Sequence, residues 1–346
     1  MILGRTVSRT IFVILAVYRP RIDFLRDQID SILTQQYEPL RLVIVVDGSD
    51  PVAEAELQSL RDSRILTVCP TVRRGALRAF ELGLETAIQE SRSPDDCFAF
   101  ADQDDVWEPH KLTRLMSEIE KTNCMIAFSD AAVIDSANAV IARSIFALEI
   151  RLKDPTLGNL LVSNSVSGMS MLLQKRLALL SLPFPLIGNG AVLHDWWIAV
   201  LGRSLGEIRF ISEPLVRYRL HDSNLIGPRM AGSAKRSPTI AGHGRFRRWV
   251  NQFRLRQQLA RNASRTMVEA GLNAPRALDL VARAGVGGFF TFLLQSTFLL
   301  ARGNARMSAI ALGSAIGCLY ARFAGVQLER EIGDKSTRGD QNLLGQ

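Results

Sequence analysis

The chain has 346 residues, 47% of them hydrophobic and 22% charged, with a formal net charge of +8. This composition excludes a disordered polymer and supplies at least one full hydrophobic core, with two domains the expectation from length. Its four cysteines, Cys69, Cys97, Cys124 and Cys318, form no C-x-x-C pair, which argues against a disulfide framework or a cysteine zinc site and for a reducing compartment.

The run Ile11 to Val17 is short, lacks a small-residue cleavage site and leads into Tyr18-Arg19-Pro20, so it predicts a buried first strand rather than a signal peptide. Leu40 to Val46, Arg64 to Val68, Cys97 to Ala101 and Met125 to Ser129 read as further strands. Between them, Leu25, Ile29, Ile32 and Leu33, and then Leu77, Phe80, Leu84 and Ile88, recur at helical spacing. Alternation of this kind predicts a parallel sheet with crossover helices. Pro109 marks the first position of a third helix carrying Leu112, Leu115 and Ile119. Past Asp130 the pattern predicts a hairpin over Val133 to Ile141 around Ser136-Ala137-Asn138, a strand over Val166 to Leu173, and two short strands, Ile208 to Ile211 and Leu215 to Arg219.

The composition then changes. Between Arg229 and Arg283 stand 12 Lys and Arg against Glu269 and Asp279 alone, while the remainder is nearly balanced. Phe246, Val250, Phe253 and Leu259 fall near one helical face with Arg247, Arg248, Arg254 and Arg256 around it, the pattern of a helix lying on an anionic membrane. Ala284 to Ala301 is uncharged, as is Met307 to Ala321; the first reaches the threshold for a membrane span and the second falls short. Arg302 and Arg306 between them predict a hairpin that dips into one leaflet or packs on the N-terminal domain rather than crossing. The predicted division is an N-terminal α/β domain over 1–228, a basic and apolar helical region over 229–326, and a disordered polar tail over 327–346.

Asp102-Gln103-Asp104-Asp105 places three carboxylates in four positions at the carboxyl end of a predicted strand, where they repel one another unless a cation sits among them. Carboxylate oxygens suit Mg2+ or Mn2+, which keep positions open for phosphate oxygens. The plain alternative is a solvated turn capping the following helix. Asp195 stands beside Trp196 and Trp197, aromatic walls that exclude water and raise a carboxylate's basicity; its plain alternative is a helix cap beside two core tryptophans.

Phe100 to Trp107 with Pro109 and Lys111 resembles the signature of inverting family 2 glycosyltransferases of the GT-A fold, and most resembles their rhamnosyltransferase-like branch. Ala16-Val17-Tyr18, Asp47-Gly48-Ser49, Phe128-Ser129-Asp130, Ser167-Gly168, His194-Asp195-Trp196-Trp197 and Tyr218-Arg219-Leu220-His221 fall in that family's order, so the resemblance covers about residues 11 to 227. It implies a mostly parallel sheet flanked by helices. It implies Asp195 as catalytic base, Asp104, Asp102 and His221 as ligands of Mg2+ or Mn2+, and a donor site drawn from Ala16, Tyr18, Asp47, Asp102, Trp107, Gly168, Trp196, Trp197 and Arg219. Val46-Asp47-Gly48-Ser49 and Arg73-Arg74-Gly75 depart from the family pattern.

The implied partners are a nucleotide-sugar donor, a glycan or lipid-linked acceptor and the inner face of the cell membrane, where a cytoplasmic, peripheral enzyme of cell-surface polysaccharide synthesis would sit. A metal-dependent nucleotidyltransferase is the nearest rival, and a nucleic-acid-binding protein using the Arg-rich segment is a second, less favoured because apolar stretches adjoin that segment. No G-x-G-x-x-G follows the first strand and no P-loop motif is present, which sets aside dinucleotide and P-loop enzymes.

Overall fold

A computed structural model describes residues 9–190, 192–221, 242–283, 286–301, 308–312 and 314–316. The chain divides into two compact units, residues 1–160 with 164–234, and residues 161–163 with 235–346.

The first unit opens with β1 (Ile11–Val17), α1 (Ile22–Leu33) and β2 (Leu40–Val46). Both strands are nearly all apolar and buried, as strands covered on both faces require. α1 sets Phe24, Leu25, Ile29 and Ile32 into the core, each side chain worth roughly 1.5–3 kcal/mol when fully buried. α2 (Pro51–Ser59) follows, and the sequence pattern had not announced it. Only Ala53 and Leu57 are buried there, too few for a visible period, but Asp50 caps it by accepting from the Ala53 amide at 3.1 Å, with Pro51 opening the first turn. β3 (Ile65–Val68), α3 (Ala76–Glu90) and β4 (Cys97–Ala101) complete the parallel half. Gly83 lets α3 lie hard on the sheet, since a Cβ there would fall 2.4 Å from Ile14 Cγ2.

β5 (Val106–Trp107) and α4 (Lys111–Thr122) come next. α4 starts two residues later than Pro109 predicts, with His110 in the cap position. β6 (Ile126–Ile134) and β7 (Val140–Ala142) form the predicted hairpin, followed by α5 (Ile145–Glu149) and α6 (Leu157–Val162). The strand expected over Val166 to Leu173 is shorter: Gly168–Ser170 forms a 3-10 turn, and only β8 (Met171–Gln174) pairs. α7 (Lys175–Ser181), α8 (His194–Leu205) and β9 (Ile208–Arg219) close the unit. β9 is one strand where two were expected, because its register against β6 shifts at Asp130 and the pairing then resumes.

Nine strands among the described residues make one sheet in the order β3-β2-β1-β4-β8-β6-β9-β5, with β7 on β6. The pairs β3-β2, β2-β1, β1-β4 and β6-β9 are parallel. β8 enters antiparallel between β4 and β6, so the sheet is not parallel throughout. The carboxyl ends of β1, β2, β4, β6 and β9 and the amino end of β8 therefore share one edge, the edge where ligands bind in open α/β sheets.

In the second unit, α9 (Gly242–Glu269), α10 (Arg276–Ala282) and α11 (Val286–Ala301) are described. Phe253, Leu259, Met267, Leu278, Val281 and Phe292 are buried, and Phe253 meets Phe292 edge-on at 6.1 Å. This corrects one expectation. The apolar face predicted to lie on a membrane places Phe253 and Leu259 in the unit's own core, and Arg256 is buried rather than solvated. No helix among the described residues is long and apolar enough to cross a membrane. The predicted tail over 327–346 and residues 307, 313 and 317–321 of the second uncharged segment lie outside the described residues.

Candidate active site

Each loop at the carboxyl edge delivers one part of the site. After β1, Tyr18 donates its amide to Gln103 Oε1 at 2.8 Å and accepts from Gln103 Nε2 at 3.2 Å, so the acidic loop is stapled to its neighbour. Arg73 lies over the Tyr18 ring, 4.1 Å from its centroid. Tyr18, Asp47, Gly48, Ser49, Asp50 and Arg73 help line a pocket of about 200 Å³ at the ends of β1 and β2. Asp47 is buried and accepts from the amides of Arg74 (2.6 Å) and Gly75 (2.8 Å), fixing the entry to α3. Ala16 pairs with Val45 within the sheet just behind this pocket. A larger cavity of about 700 Å³ opens at the opposite edge, near Thr10, Arg41 and Asp96, away from every predicted site residue.

The acidic loop after β4 sorts its carboxylates. Asp104 Oδ2 lies 2.6 Å from His221 Nε2, which β9 delivers from 117 residues away. Asp102 is raised to about 7, first by burial and then by the like charges of Asp104 and Asp195. Asp105 turns inward: it is fully buried, accepts from the Arg219 amide at 3.1 Å, leaves Oδ2 without a partner, and is held well above the usual carboxylate range by burial and by Asp102 and Asp104. Lys111, also fully buried, is pulled well below the usual ammonium range by desolvation, opposed by Asp105 and Asp102. Its Nζ donates to Met169 O at 2.6 Å and sits 2.9 Å from the centroid of the Trp107 ring.

Arg219 is the keystone under this loop. Its Nε donates to Asp104 O (2.7 Å), Nη1 to Asn138 Oδ1 (2.7 Å) and Nη2 to Asp27 Oδ2 (3.0 Å), and the guanidinium lies over Phe24. Fully buried, it is committed to protein groups rather than presented to a phosphate. Two more expected contacts are corrected. Trp107 is 2% exposed, packed beneath Lys111 and bonded through Nε1 to Gln28, and Trp197, also 2% exposed, donates to Ser181 O at 2.8 Å; both are core residues. Trp196 is partly exposed and donates to Leu160 O.

Asp195 is the second residue of α8, after the capping residue Leu193 and the first helical residue His194. Its Oδ1 accepts from the Trp196 amide at 2.6 Å. Burial raises its carboxyl to about 6, against the pull of the Trp196 and Gly168 amides and of Arg151, whose Nη1 donates to Ser167 Oγ at 2.6 Å. Gly168 is buried against Asp195, because a Cβ on it would lie 3.6 Å from Asp195 Cβ. The base candidate and the acidic loop thus occupy one edge, close enough for Asp195 to raise Asp102. Sequence reasoning missed Asp27, Asn138 and Arg151; none stands in a motif, and only long-range packing brings them here.

A divalent cation fits this donor set. Asp102 and Asp104 crowd negative charge that protonation alone relieves, and His221 adds an imidazole at 2.6 Å from Asp104. Among the described residues no three His, Cys, Asp or Glu side chains gather into a metal site, so the fit rests on the Asp102 and Asp104 pair with His221 beside Asp104.

Residues 12–177, nearly half of the chain, match the glycosyl transferase family 2 model. An uncharacterized glycosyltransferase of Nostoc sp. (strain PCC 7120) is 26% identical over 242 residues, 67% of this chain and 72% of the relative. One of Haemophilus influenzae is 23% identical over 211 residues, 57% of this chain and 62% of the relative. Among solved structures, S. aureus TarS 1-349 in complex with UDP-GlcNAc aligns with a TM-score of 0.52 at 11% identity, over 90% of this chain and 92% of that one. The same protein in complex with UDP aligns at 0.50 and 12%, over 73% and 66%. The architecture is the GT-A type of α/β fold.

Proposed function

From the match of residues 12–177 to the glycosyl transferase family 2 model, we propose that the protein is an inverting glycosyltransferase that moves a hexose or deoxyhexose, rhamnose included, from a nucleotide-diphospho-sugar to a glycan or lipid-linked acceptor. One observation carries this reading: a half-buried aspartate, Asp195, raised to about 6, shares a sheet edge with the crowded carboxylates of the acidic loop, close enough to raise Asp102.

In this scheme Asp195 removes the proton from an acceptor hydroxyl as its oxygen attacks the anomeric carbon, the bond from that carbon to the diphosphate oxygen breaks, and the nucleoside diphosphate leaves from the opposite face. One base suffices for inversion, and a pKa near the operating range is what a general base needs. The pocket between Tyr18, Asp47 and Arg73 receives the nucleoside. Asp104, Asp102 and His221 would hold Mg2+ or Mn2+, which would offset the charge that builds on the departing diphosphate. Arg219 holds Asp104 in place through its backbone. Partly exposed Trp196 lies beside the acceptor side of Asp195.

An acceptor anchored in lipid gives the second unit its role. Leu294 and Leu300, exposed on the uncharged helix α11, and Arg276 and Arg283, exposed elsewhere in the same unit, supply the apolar and basic groups that the cytoplasmic face of a membrane would take. Cell-surface polysaccharide synthesis is the corresponding process.

A panel of nucleotide-sugars with Mg2+ or Mn2+ and a lipid-linked acceptor tests the proposal. Release of free nucleoside diphosphate with an inverted product linkage is expected. Release of inorganic pyrophosphate instead would identify a nucleotidyltransferase.

A further inference from the structure

His194 has no part in the chemistry above, yet few polar side chains are so confined. It is 6% exposed, and neither ring nitrogen has a hydrogen-bond partner. Phe80 and Phe100 stand 4.1 Å and 4.7 Å from it, centroid to centroid, and Phe184 6.1 Å. Burial pushes its pKa down to about 3, so the ring is neutral at ordinary pH.

Each unpaired buried polar atom costs roughly 1–3 kcal/mol, a cost an apolar residue would avoid, so the imidazole needs a reason. Gly168 supplies it. A Cβ built on Gly168 would meet His194 Nε2 at 2.7 Å and Cε1 at 3.3 Å, and the cage of phenylalanines leaves the ring no room to yield. The flat edge of a five-membered ring therefore lies directly on bare backbone. From the other side, Lys111 grips the same turn by donating to Met169 O at 2.6 Å. The turn is clamped between α4 and the first residue of α8, and Asp195 is the next residue along.

We propose that His194 is a positioning residue: its caged ring, seated edge-on against Gly168, sets the gap between the 168–170 turn and the start of α8, and so fixes the direction in which Asp195 points. This rests on Asp195 being the base. A displaced base loses rate without losing donor affinity, because the nucleoside pocket and acidic loop lie on other elements.

The test is a double-mutant cycle of Gly168→Ala, His194→Ala and both together, read by kcat at saturating donor, donor affinity by calorimetry, and thermal midpoint. Gly168→Ala is expected to lower kcat ~100-fold and His194→Ala ~10-fold, each with donor affinity changed less than about threefold. The double variant is expected within about threefold of His194→Ala alone, because the added methyl then meets no ring. Independent losses, multiplying to ~1000-fold in the double variant, would overturn the proposal, as would full kcat in His194→Ala. Thermal midpoints read the same coupling without any turnover: Gly168→Ala lowers the midpoint of the wild-type background and not of the His194→Ala background. Full turnover in Asp195→Asn would instead sink the base assignment while leaving that packing result standing.

Discussion

Asp104 and Asp195 are both aspartates on the same sheet edge, and the molecule treats them in opposite ways. Asp104 is set among other carboxylates with an imidazole 2.6 Å away, and Arg219 braces its backbone. Asp195 stands on a separate element, meeting backbone amides and, at a distance, Arg151 and the acidic loop whose Asp102 it raises. The difference follows from what each must handle. Crowded carboxylates favour a cation, whereas a solitary carboxylate drawn out of water favours a proton.

The largest effect that would break the comparison is at Asp195. Asn in its place is expected to lower kcat by ~10³-fold or more, in line with loss of a general base, with donor affinity unchanged by calorimetry. Asp104→Ala should do the reverse. Metal-dependent donor binding is expected to fall ~100-fold, and His221→Ala to give a smaller loss in the same titration, as removal of ligands and their partners typically does. Variants that behaved alike would erase the distinction.

pH sharpens it next. With Asp195 raised to about 6, kcat/KM is expected to fall roughly tenfold per pH unit below that value and to level off above it, because the base must be ionised. Stability runs the other way. The folded-state pKa values of Asp195 and Asp102, about 6 and about 7, lie above the ordinary 3.8, so their protonated forms favour folding; that contribution is full below about pH 4 and is lost as pH rises through 6 to 7. Mn2+ should therefore raise the melting temperature more at pH 8 than at pH 5. An equal increment at both would count against the crowded pair as its site.

The smallest effect concerns what a plain cap looks like. Asp50 accepts from the amide three residues on, and Asp50→Ala should cost ~1 kcal/mol in denaturant unfolding. Asp195 is not placed in that way, since the capping position of α8 belongs to Leu193 and its own oxygen takes the very next amide.

β1, β2 and β4 were legible to the residue because each is an apolar run, broken only by Arg41 in β2, of the kind a doubly covered strand requires. β8 was not, since four residues pairing antiparallel with two distant strands leave no periodic trace. α2 was hidden by having two buried positions. In the site, the order of motifs named Asp102, Asp104, Asp195 and His221, but sequence carries no record of direction. That Asp105 turns inward, that Arg219 reaches Asp27 across 192 residues, and that Trp107 and Trp197 face the core are outcomes of packing.

Gln103 deserves its place between two aspartates for a reason of measurement. By exchanging two hydrogen bonds with the Tyr18 backbone it joins the floor of the nucleoside pocket to the loop bearing Asp102 and Asp104. The two ends of a donor are then gauged against a ruler of fixed length. Under the proposed function, backbone rather than a flexible side chain then sets the spacing between the nucleoside end of a donor and its diphosphate.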